Sequence, residues 1–480
     1  MAMKTINFGE WLPDQPGVTG ALTVARNVIP LSSGYGPAQA AVDYSSDATQ
    51  DLRGVFSGRI SGDTTLFAAG TTKLYKFDSV TSALNDVSKL VMGSPTDYTP
   101  SDSWDFTQFG NVMIAANGQN KLQAWTLGGA STNFDDLAAA APSAKFVTVV
   151  RDFVVAARDA SNPSRVYWSN INDETNWTPG VNSQSDIQDI PDGGDIQGLT
   201  GGEFGLILLE RAVVRMSYIG SPLFFQFDTI SRNLGCYVPS SIAQYGRSVY
   251  FLSDDGFYVC NGEQIQPIGV ERVDKYFFQN VDLGSIDLMT AAIDPVNKLV
   301  IWCFKNNSGN NEMLVYNWQI NRWSNIITKA TSIATAASPS ITLEGLDAFG
   351  TIDTLPSSLD SRLWTGGKML LAGALGAKIV TFTGENLPGE IVTGDITVGA
   401  QSIVKLVYPQ IDNGSAQVSV ASRMRLDAPL VFSDPAQADD ENRVPLRSVG
   451  RYHRLRVNPT GINWKHTVAV DVDVQQSGGR

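Results

Sequence analysis

Short pairs of apolar runs recur along the chain. Each pair has an apolar run of four or five residues, a polar turn and a second run that ends at or near an aromatic residue. This pattern predicts two antiparallel strands joined by a turn. Seven such pairs occur, at residues 66–77, 112–125, 153–168, 206–218, 249–259, 299–318 and 369–382.

The spacing of these pairs indicates how they are arranged. Successive pairs begin between 41 and 70 residues apart, which is close to the length of one four-stranded blade of a β-propeller. A single hairpin cannot bury its own apolar face, so the repeats must pack against each other around a common axis. We therefore predict an all-β protein whose main part is a β-propeller of six or seven blades.

The rest of the chain divides around this propeller. Residues 1–50 are rich in Gly, Pro and Ala with little strand periodicity, and predict an extended N-terminal arm. Residues 51–385 form the propeller, in which the small, polar stretch 331–359 is expected to be an outer strand with long loops. Residues 386–480 predict a small antiparallel β-sandwich, with strands at 403–407, 417–420, 452–457 and 467–474.

The charge of the chain is unevenly distributed. The net charge is −13, which argues against a surface that holds nucleic acid by neutralising phosphates. Between Arg443 and His466, however, there are six Lys and Arg residues, both histidines and no acid. The segment is either a solvated strand face or an electrostatic contact with an acidic partner. The second interpretation makes candidate interface residues of Arg447, Arg451, Arg454 and Arg456.

The sequence contains few signs of catalysis. It has no nucleophile elbow, phosphate-binding loop, zinc-protease motif or calcium loop. Its two histidines, His453 and His466, have no acid nearby in sequence to orient them, and its three cysteines match no metal-ligand spacing and are expected to be buried and reduced. We expect no enzyme activity, no cofactor and no metal. Paired carboxylates remain an alternative, although Asp-Gly turns between strands are the ordinary use of such residues; the candidates are Asp254, Asp255, Asp186, Asp189, Asp192 and Asp195.

The sequence also bears on where the protein is made. No run of about 18 apolar residues is present, as a membrane-spanning helix would need. The first 20 residues are polar and do not follow the pattern of a secretory signal peptide. We expect a protein that is made in a cytoplasm and has no membrane-spanning segment.

Short phrases at both ends resemble one family. The N-terminal part contains Pro13-Asp14, then the phrase ARNVIP at residues 25–30 and GYGP at residues 34–37, and the C-terminal part contains VPLRSVGRYHRLRV at residues 444–457. In this order they resemble the tail nozzle, or packaged-DNA stabilisation, proteins of short-tailed bacteriophages, which are also called tail tubular or tail accessory hub proteins. The phrases VYWSNINDETNW at 166–177 and FLSDDGFYVCNG at 251–262 fit the same family.

This resemblance implies a non-enzymatic virion protein, made in the host cytoplasm. Six copies would form a ring below the portal and its head-to-tail adaptor, retain packaged DNA and provide the conduit for its ejection. Other partners would be fibre or needle proteins, with double-stranded DNA passing through transiently. An acidic conduit would not bind the phosphates. The N-terminal arm would become ordered on a neighbouring protein, so we expect Phe8, Trp11 and Tyr35 at that interface and the arm to be dispensable for folding.

Two other functions are compatible with a propeller. The first is a carbohydrate-binding or carbohydrate-degrading tail protein, and the second is a cellular scaffold that binds peptides. The scaffold is disfavoured because the repeats lack WD-type signatures.

Overall fold

The computed structural model describes residues 3–17, 20–339 and 366–476, and single positions or short stretches between 340 and 365. Within these residues the regular structure is nearly all β. The helical parts are α1 (Asp274–Asn280) and short 3-10 turns at Pro239–Ser241 and Leu283–Leu288.

The strands are numbered along the chain. The N-terminal segment holds β1 (Met3–Asn7), β2 (Val24–Arg26), β3 (Val28–Pro30), β4 (Tyr35–Pro37) and β5 (Val42–Asp43). The next strands are β6 (Leu52–Ile60), β7 (Asp63–Gly70), β8 (Leu74–Phe77), β9 (Leu84–Asp86), β10 (Leu90–Val91), β11 (Ser94–Pro95), β12 (Asp105–Phe109), β13 (Val112–Ala116), β14 (Gln123–Thr126), β15 (Asp135–Asp136), β16 (Ala144–Val150), β17 (Phe153–Asp159), β18 (Arg165–Trp168) and β19 (Asp186–Asp189).

The second half of the propeller comprises β20 (Ile196–Thr200), β21 (Gly205–Leu209), β22 (Val213–Gly220), β23 (Phe224–Ser231), β24 (Ala243–Tyr245), β25 (Ser248–Leu252), β26 (Phe257–Cys260), β27 (Ile265–Pro267), β28 (Thr290–Asp294), β29 (Leu299–Lys305), β30 (Asn311–Asn317), β31 (Arg322–Thr328), β32 (Ser332–Ala337), β33 (Met369–Leu375) and β34 (Lys378–Thr381). The C-terminal strands are β35 (Glu390–Val392), β36 (Ile396–Asp412), β37 (Ser415–Arg423), β38 (Ala436–Gln437), β39 (Val444–Thr460) and β40 (His466–Gln476).

The strands confirm the predicted β-propeller. Each of the seven hairpins read from the sequence forms the second and third strands of a four-stranded antiparallel unit. In the described residues six of these units are separate sheets, and the unit β28–β31 continues into a larger sheet that includes the C-terminal strands. The first strand of every unit lines one axial cavity of about 390 Å³. The period-two pattern is therefore sufficient to identify the blades.

Neighbouring blades are held together by aromatic side chains between their faces. Phe153 and Trp168 lie on one blade and contact Phe225 on the next, with ring centroids 5.0 Å and 5.3 Å apart. Apolar burial of this kind contributes roughly 1.5 to 3 kcal/mol for each large side chain. The three cysteines are buried and unpaired in two other apolar cores, as predicted.

The innermost strands are edge strands, and side chains from a neighbouring blade pair with their free amide groups. The amide of Val147 donates to a carboxylate oxygen of Asp105 at 2.9 Å, and the amide of Ile333 donates to the hydroxyl of Thr290 at 2.9 Å. These bonds join adjacent blades around the axis, where no backbone ladder connects them.

The last blade is closed by the N-terminal segment. Strand β5 pairs with β34 and supplies the outer strand of this blade. The prediction of an outer strand within 331–359 is wrong, because Ser332–Ala337 forms β32, the innermost strand. Its small side chains suit the crowded axis. The rest of that stretch falls largely outside the described residues.

The N-terminal segment is not a free arm, so this prediction is wrong as well. Strand β1 pairs with β40 over five residues. Phe8, Trp11 and Tyr35 are 2%, 2% and 0% exposed and lie in one core with the C-terminal strands and the blades nearest to them. The segment lacks strand periodicity because it forms many short contacts with different elements. Phe8, Trp11 and Tyr35 are therefore covered by other parts of the same chain.

Two polar contacts fix the course of this segment. Asp14 accepts hydrogen bonds from the backbone amides of Lys275 and Tyr276 at 2.9 Å and 2.8 Å, and so caps α1, whose own N-cap residue Val273 gives no side-chain bond. Asn27 is at φ +56°, and its backbone N–H donates to the backbone carbonyl of Asn325 at 2.7 Å. The Pro-Asp and Asn-Val phrases are therefore docking points on the propeller.

The C-terminal strands pair antiparallel around the long strand β39, and this sheet is continuous with one blade of the propeller. The first half of β39 pairs with β36, and its second half pairs with β37. Strand β35 joins β39 to β2, which lies beside β31 of the propeller. The chain therefore has no break between propeller and C-terminal sheet at residue 385, because backbone pairing runs continuously across it.

Asp274 is a buried acid that makes stability depend on pH. It is 7% exposed, and the backbone of Gly256 and Gly269 packs against its carboxyl group. Burial raises the pKa of Asp274 from 3.8 to about 7, although the amide of Phe257 donates to it and opposes the shift. A raised carboxyl pKa favours the protonated folded state, so this contribution to stability is fully present below about pH 4 and is lost as the pH rises through 7.

Replacing Trp11 with Ala should lower the free energy of unfolding by about 3 to 5 kcal/mol, since a fully buried indole is removed. Val80→Ala is the matched control, because Val80 is 57% exposed and the change should cost less than about 0.5 kcal/mol. Urea unfolding measures both. Equal unfolding midpoints for W11A and the parent would support the prediction that the N-terminal arm is dispensable for folding.

The variant Asp274→Asn removes the titrating group with little change in size. Its unfolding free energy relative to the parent should rise between pH 4 and pH 8, by on the order of 2 kcal/mol, because only the parent is penalised by ionisation at high pH. Denaturant unfolding across this range tests the slope, with Asp254→Asn as the exposed control from the turn that contains Gly256. Parallel pH profiles for D274N and the parent would show that Asp274 does not titrate as argued.

Candidate assembly interface on the C-terminal sheet

The four arginines predicted at an interface have different environments. Arg454 forms a two-bond ion pair with Asp395, with both N···O distances 3.0 Å. Arg423 reaches the same carboxylate at 2.7 Å, and the side chain of Asp395 is 2% exposed. Arg454 is therefore part of a buried ion cluster, so its charge is not available to a partner.

Arg456 is also paired within the chain. Its Nε atom lies 3.1 Å from the carboxylate of Glu390, which Arg26 contacts from the other side. The guanidinium also stacks 4.1 Å from the ring centroid of Phe432. The prediction that all four arginines lack a neutralising acid is wrong for Arg454 and Arg456. Glu390 lies on β35 and Asp395 directly precedes β36, and the pairing of these two strands with β39 brings both acids alongside.

Arg447 and Arg451 remain as candidates. Both are exposed, and in the described part of the chain neither guanidinium has an ion pair. Lys405 lies next to Arg447, because the ladder places Val404 opposite Ser448 and Leu406 opposite Pro445. The ammonium of Lys405 donates to the amide oxygen of Gln475 at 2.5 Å. Among the residues that the structure describes, it has no carboxylate partner. We call Lys405, Arg447 and Arg451 the basic stripe.

Exposed apolar side chains border the basic stripe. Val449 lies between Arg447 and Arg451 on the same strand face and is 45% exposed. Met424 follows the last pair of the β37–β39 ladder, Arg423 with Tyr452, so it lies beside Arg451, and it is 52% exposed. A mixture of arginine and exposed apolar side chains is typical of protein interfaces.

The histidines have structural contacts. The imidazole of His453 lies between the hydroxyls of Ser402 and Ser422, at 2.8 Å and 2.6 Å. It is 1% exposed, and burial lowers the pKa of His453. His466 contacts the carbonyl of Ser33. Because the His453 cluster is closed to solvent, a substrate cannot reach it.

Two of the carboxylates considered as a catalytic pair make contacts that serve local structure. Asp255 accepts a hydrogen bond from the hydroxyl of Tyr258 at 2.9 Å, and Asp189 forms a two-bond pair with Arg165. Among the described residues no group of three or more His, Cys, Asp or Glu is placed to hold a metal ion. The described helices are too short or too polar to span a membrane.

The phrases that resemble the tail family consist largely of structurally constrained residues. Gly34 is at φ +77°, and a Cβ there would lie 2.1 Å from the carbonyl oxygen of Thr467. A Cβ on Gly450 would lie 2.9 Å from that of Ser422. Both glycines allow close packing in the C-terminal sheet. Arg447 and Arg451, in the same phrase as Gly450, are exposed, and the guanidinium of Arg451 lies 5.5 Å from the ring centroid of Tyr452.

The two kinds of arginine should respond differently to substitution. Arg454→Gln leaves the buried Asp395 with one guanidinium and should lower the free energy of unfolding by about 1 to 3 kcal/mol. Arg447→Gln is the matched change on the same strand and should shift it by less than about 0.5 kcal/mol. Chemical denaturation of the two variants compares them directly. A larger loss for R447Q than for R454Q would contradict this division.

Comparison with known proteins adds a structural likeness. No family model matches the chain, and no curated protein matches it. A solved structure similar to this chain is the WD40 domain of coronin from Toxoplasma gondii, at 9% sequence identity and a TM-score of 0.39, covering 75% of this chain and 88% of that chain. The propeller fold rests on the strand pairing described above.

Proposed function

We propose that the protein is a structural component of a bacteriophage tail, in which copies form a ring below the portal and adaptor that retains DNA and guides its ejection. The basic stripe is the observation that carries this proposal. It presents three cations without acid partners in the described chain, on a protein of net charge −13. An acidic surface of an adjacent tail protein would neutralise them.

The likeness to tail nozzle phrases supports the same proposal. Ala25 in the N-terminal phrase pairs with Ile391, which pairs in turn with Val457 at the end of the C-terminal phrase, and that second phrase carries Arg447 and Arg451. Two of the three residues of the basic stripe therefore lie within a phrase that resembles the family.

The size of the axial cavity decides how such a ring would work. The cavity of about 390 Å³ is lined by inner strands of all the blades. At about 30 Å³ of liquid volume for each water, this is room for about 13 water molecules, which is far too little for a DNA duplex. In a ring, the conduit would therefore lie between copies, along the ring axis, and each propeller would form part of its wall. Closure of such a ring requires heterologous contacts.

Docking onto DNA-filled heads that carry the adaptor but lack this protein tests the proposal. Replacing Lys405, Arg447 and Arg451 with Gln should reduce docking and make the remainder less sensitive to salt, because the lost contacts are charged. The matched control removes three exposed cations from the propeller, by Arg232→Gln, Lys275→Gln and Lys305→Gln. This control has the same net charge as the stripe variant, but it should dock like the parent.

Two results would contradict this function. One is equal docking by the stripe variant and the parent at both low and high salt. The other is release of reducing ends from host envelope polysaccharide by the purified protein, which would favour the carbohydrate-degrading alternative.

A further inference from the structure

Two cations face each other on the third blade. In the ladder between β16 and β17, Ala144 lies opposite Asp159 and Phe146 lies opposite Ala157. Lys145 and Arg158 therefore occupy facing positions. Like charges directly opposite each other on a sheet destabilise it, so this pair requires an explanation that packing alone does not give.

The two side chains differ in how they are held. Arg158 donates to the carbonyl of Ile196 at 3.1 Å and to the side chain of Gln197 at 2.9 Å, and its guanidinium lies 3.6 Å from the carboxylate of Asp195. Its backbone is at φ +63°, an uncommon conformation for arginine. Lys145 is half-buried, and within the described residues its ammonium has no hydrogen bond or ion pair. Burial and the nearby charge of Arg158 lower the pKa of Lys145.

Both cations line a polar cavity of about 360 Å³ on one face of the propeller. Turns of the second and third blades form its walls, and the exposed side chains of Asp102 and Gln119 lie at its rim. Small-ligand sites of this size are common, and at about 30 Å³ of liquid volume for each water the cavity is large enough for one sugar ring.

The charges of the cavity restrict what it could bind. A carboxylate would be attracted by Lys145 and Arg158 together. Asp102, Asp159 and Asp195 line the same cavity and would repel a dianionic phosphate more strongly than a carboxylate, which carries a single charge. Carboxylate and amide side chains at the rim are suitable partners for hydroxyl groups.

We propose that this cavity binds a carboxylated monosaccharide unit, with its carboxylate on the ammonium of Lys145 and its hydroxyls on Asp102 and Gln119. The inference concerns a recognition site on the propeller and does not depend on the ring. It gives the facing cations a role, since a bound carboxylate removes their repulsion.

Saturation-transfer NMR on the full chain tests this site, with D-glucuronate, D-glucose and inorganic phosphate as probes. The parent should bind glucuronate saturably and more tightly than glucose or phosphate. Lys145→Gln should weaken glucuronate binding at least roughly tenfold, because a charge-assisted hydrogen bond is lost. Lys121→Gln is the control. It removes a cation that donates to the carbonyl of Ala139, and this variant should bind glucuronate like the parent.

A second measurement separates binding from folding. Because Lys145→Gln relieves repulsion from Arg158, its unfolding midpoint in urea should equal or exceed that of the parent. The proposal is overturned if the parent does not bind glucuronate, if K145Q binds it as well as the parent does, or if glucose or phosphate binds as tightly as glucuronate.

Discussion

Closure of the propeller is the constraint on which the rest of the structure depends. The last blade has three strands from the end of the repeat region, and its fourth strand is Val42–Asp43, from the other end of the chain. An ion pair of 2.7 Å between Lys378 and Asp43 reinforces the pairing. Without this strand the last blade would present a free edge, and the ring would lose the covalent link from β5 to β6 that supplements the apolar packing between the last and first blades.

Closure also explains why the C-terminal sheet belongs to the same body. To reach the last blade, the chain first passes along β40, α1 and β31, where Phe8, Asp14 and Asn27 make their contacts. The C-terminal strands then cover the segment from the other side. Propeller, N-terminal segment and C-terminal sheet therefore stabilise each other, and a surface such as the basic stripe is held on a rigid support.

The sequence predicts what is local and misses what is distant. The blade hairpins follow from alternation within about ten residues, as in Phe153–Asp159 with Arg165–Trp168. The pairing of Val42 with Thr381 could not be seen, because a two-residue strand carries no periodic signal. The same holds for the interface: the cluster of arginines was visible, but Asp395 and Glu390, which neutralise Arg454 and Arg456, are adjacent only in the folded chain. The facing pair of Lys145 and Arg158 likewise depends on strand register, which the sequence left open.

Hydrogen exchange of the N-terminal segment tests the central claim most directly. The amides of Ala38, Ala40 and Tyr44 donate to backbone carbonyls of the chain, so mass spectrometry of peptides covering these residues reports on closure. We predict slow exchange under native conditions, with opening at the same denaturant concentration as the last blade and the C-terminal sheet. Exchange within seconds in native buffer, while the blades stay protected, would contradict a propeller that its N-terminal segment closes.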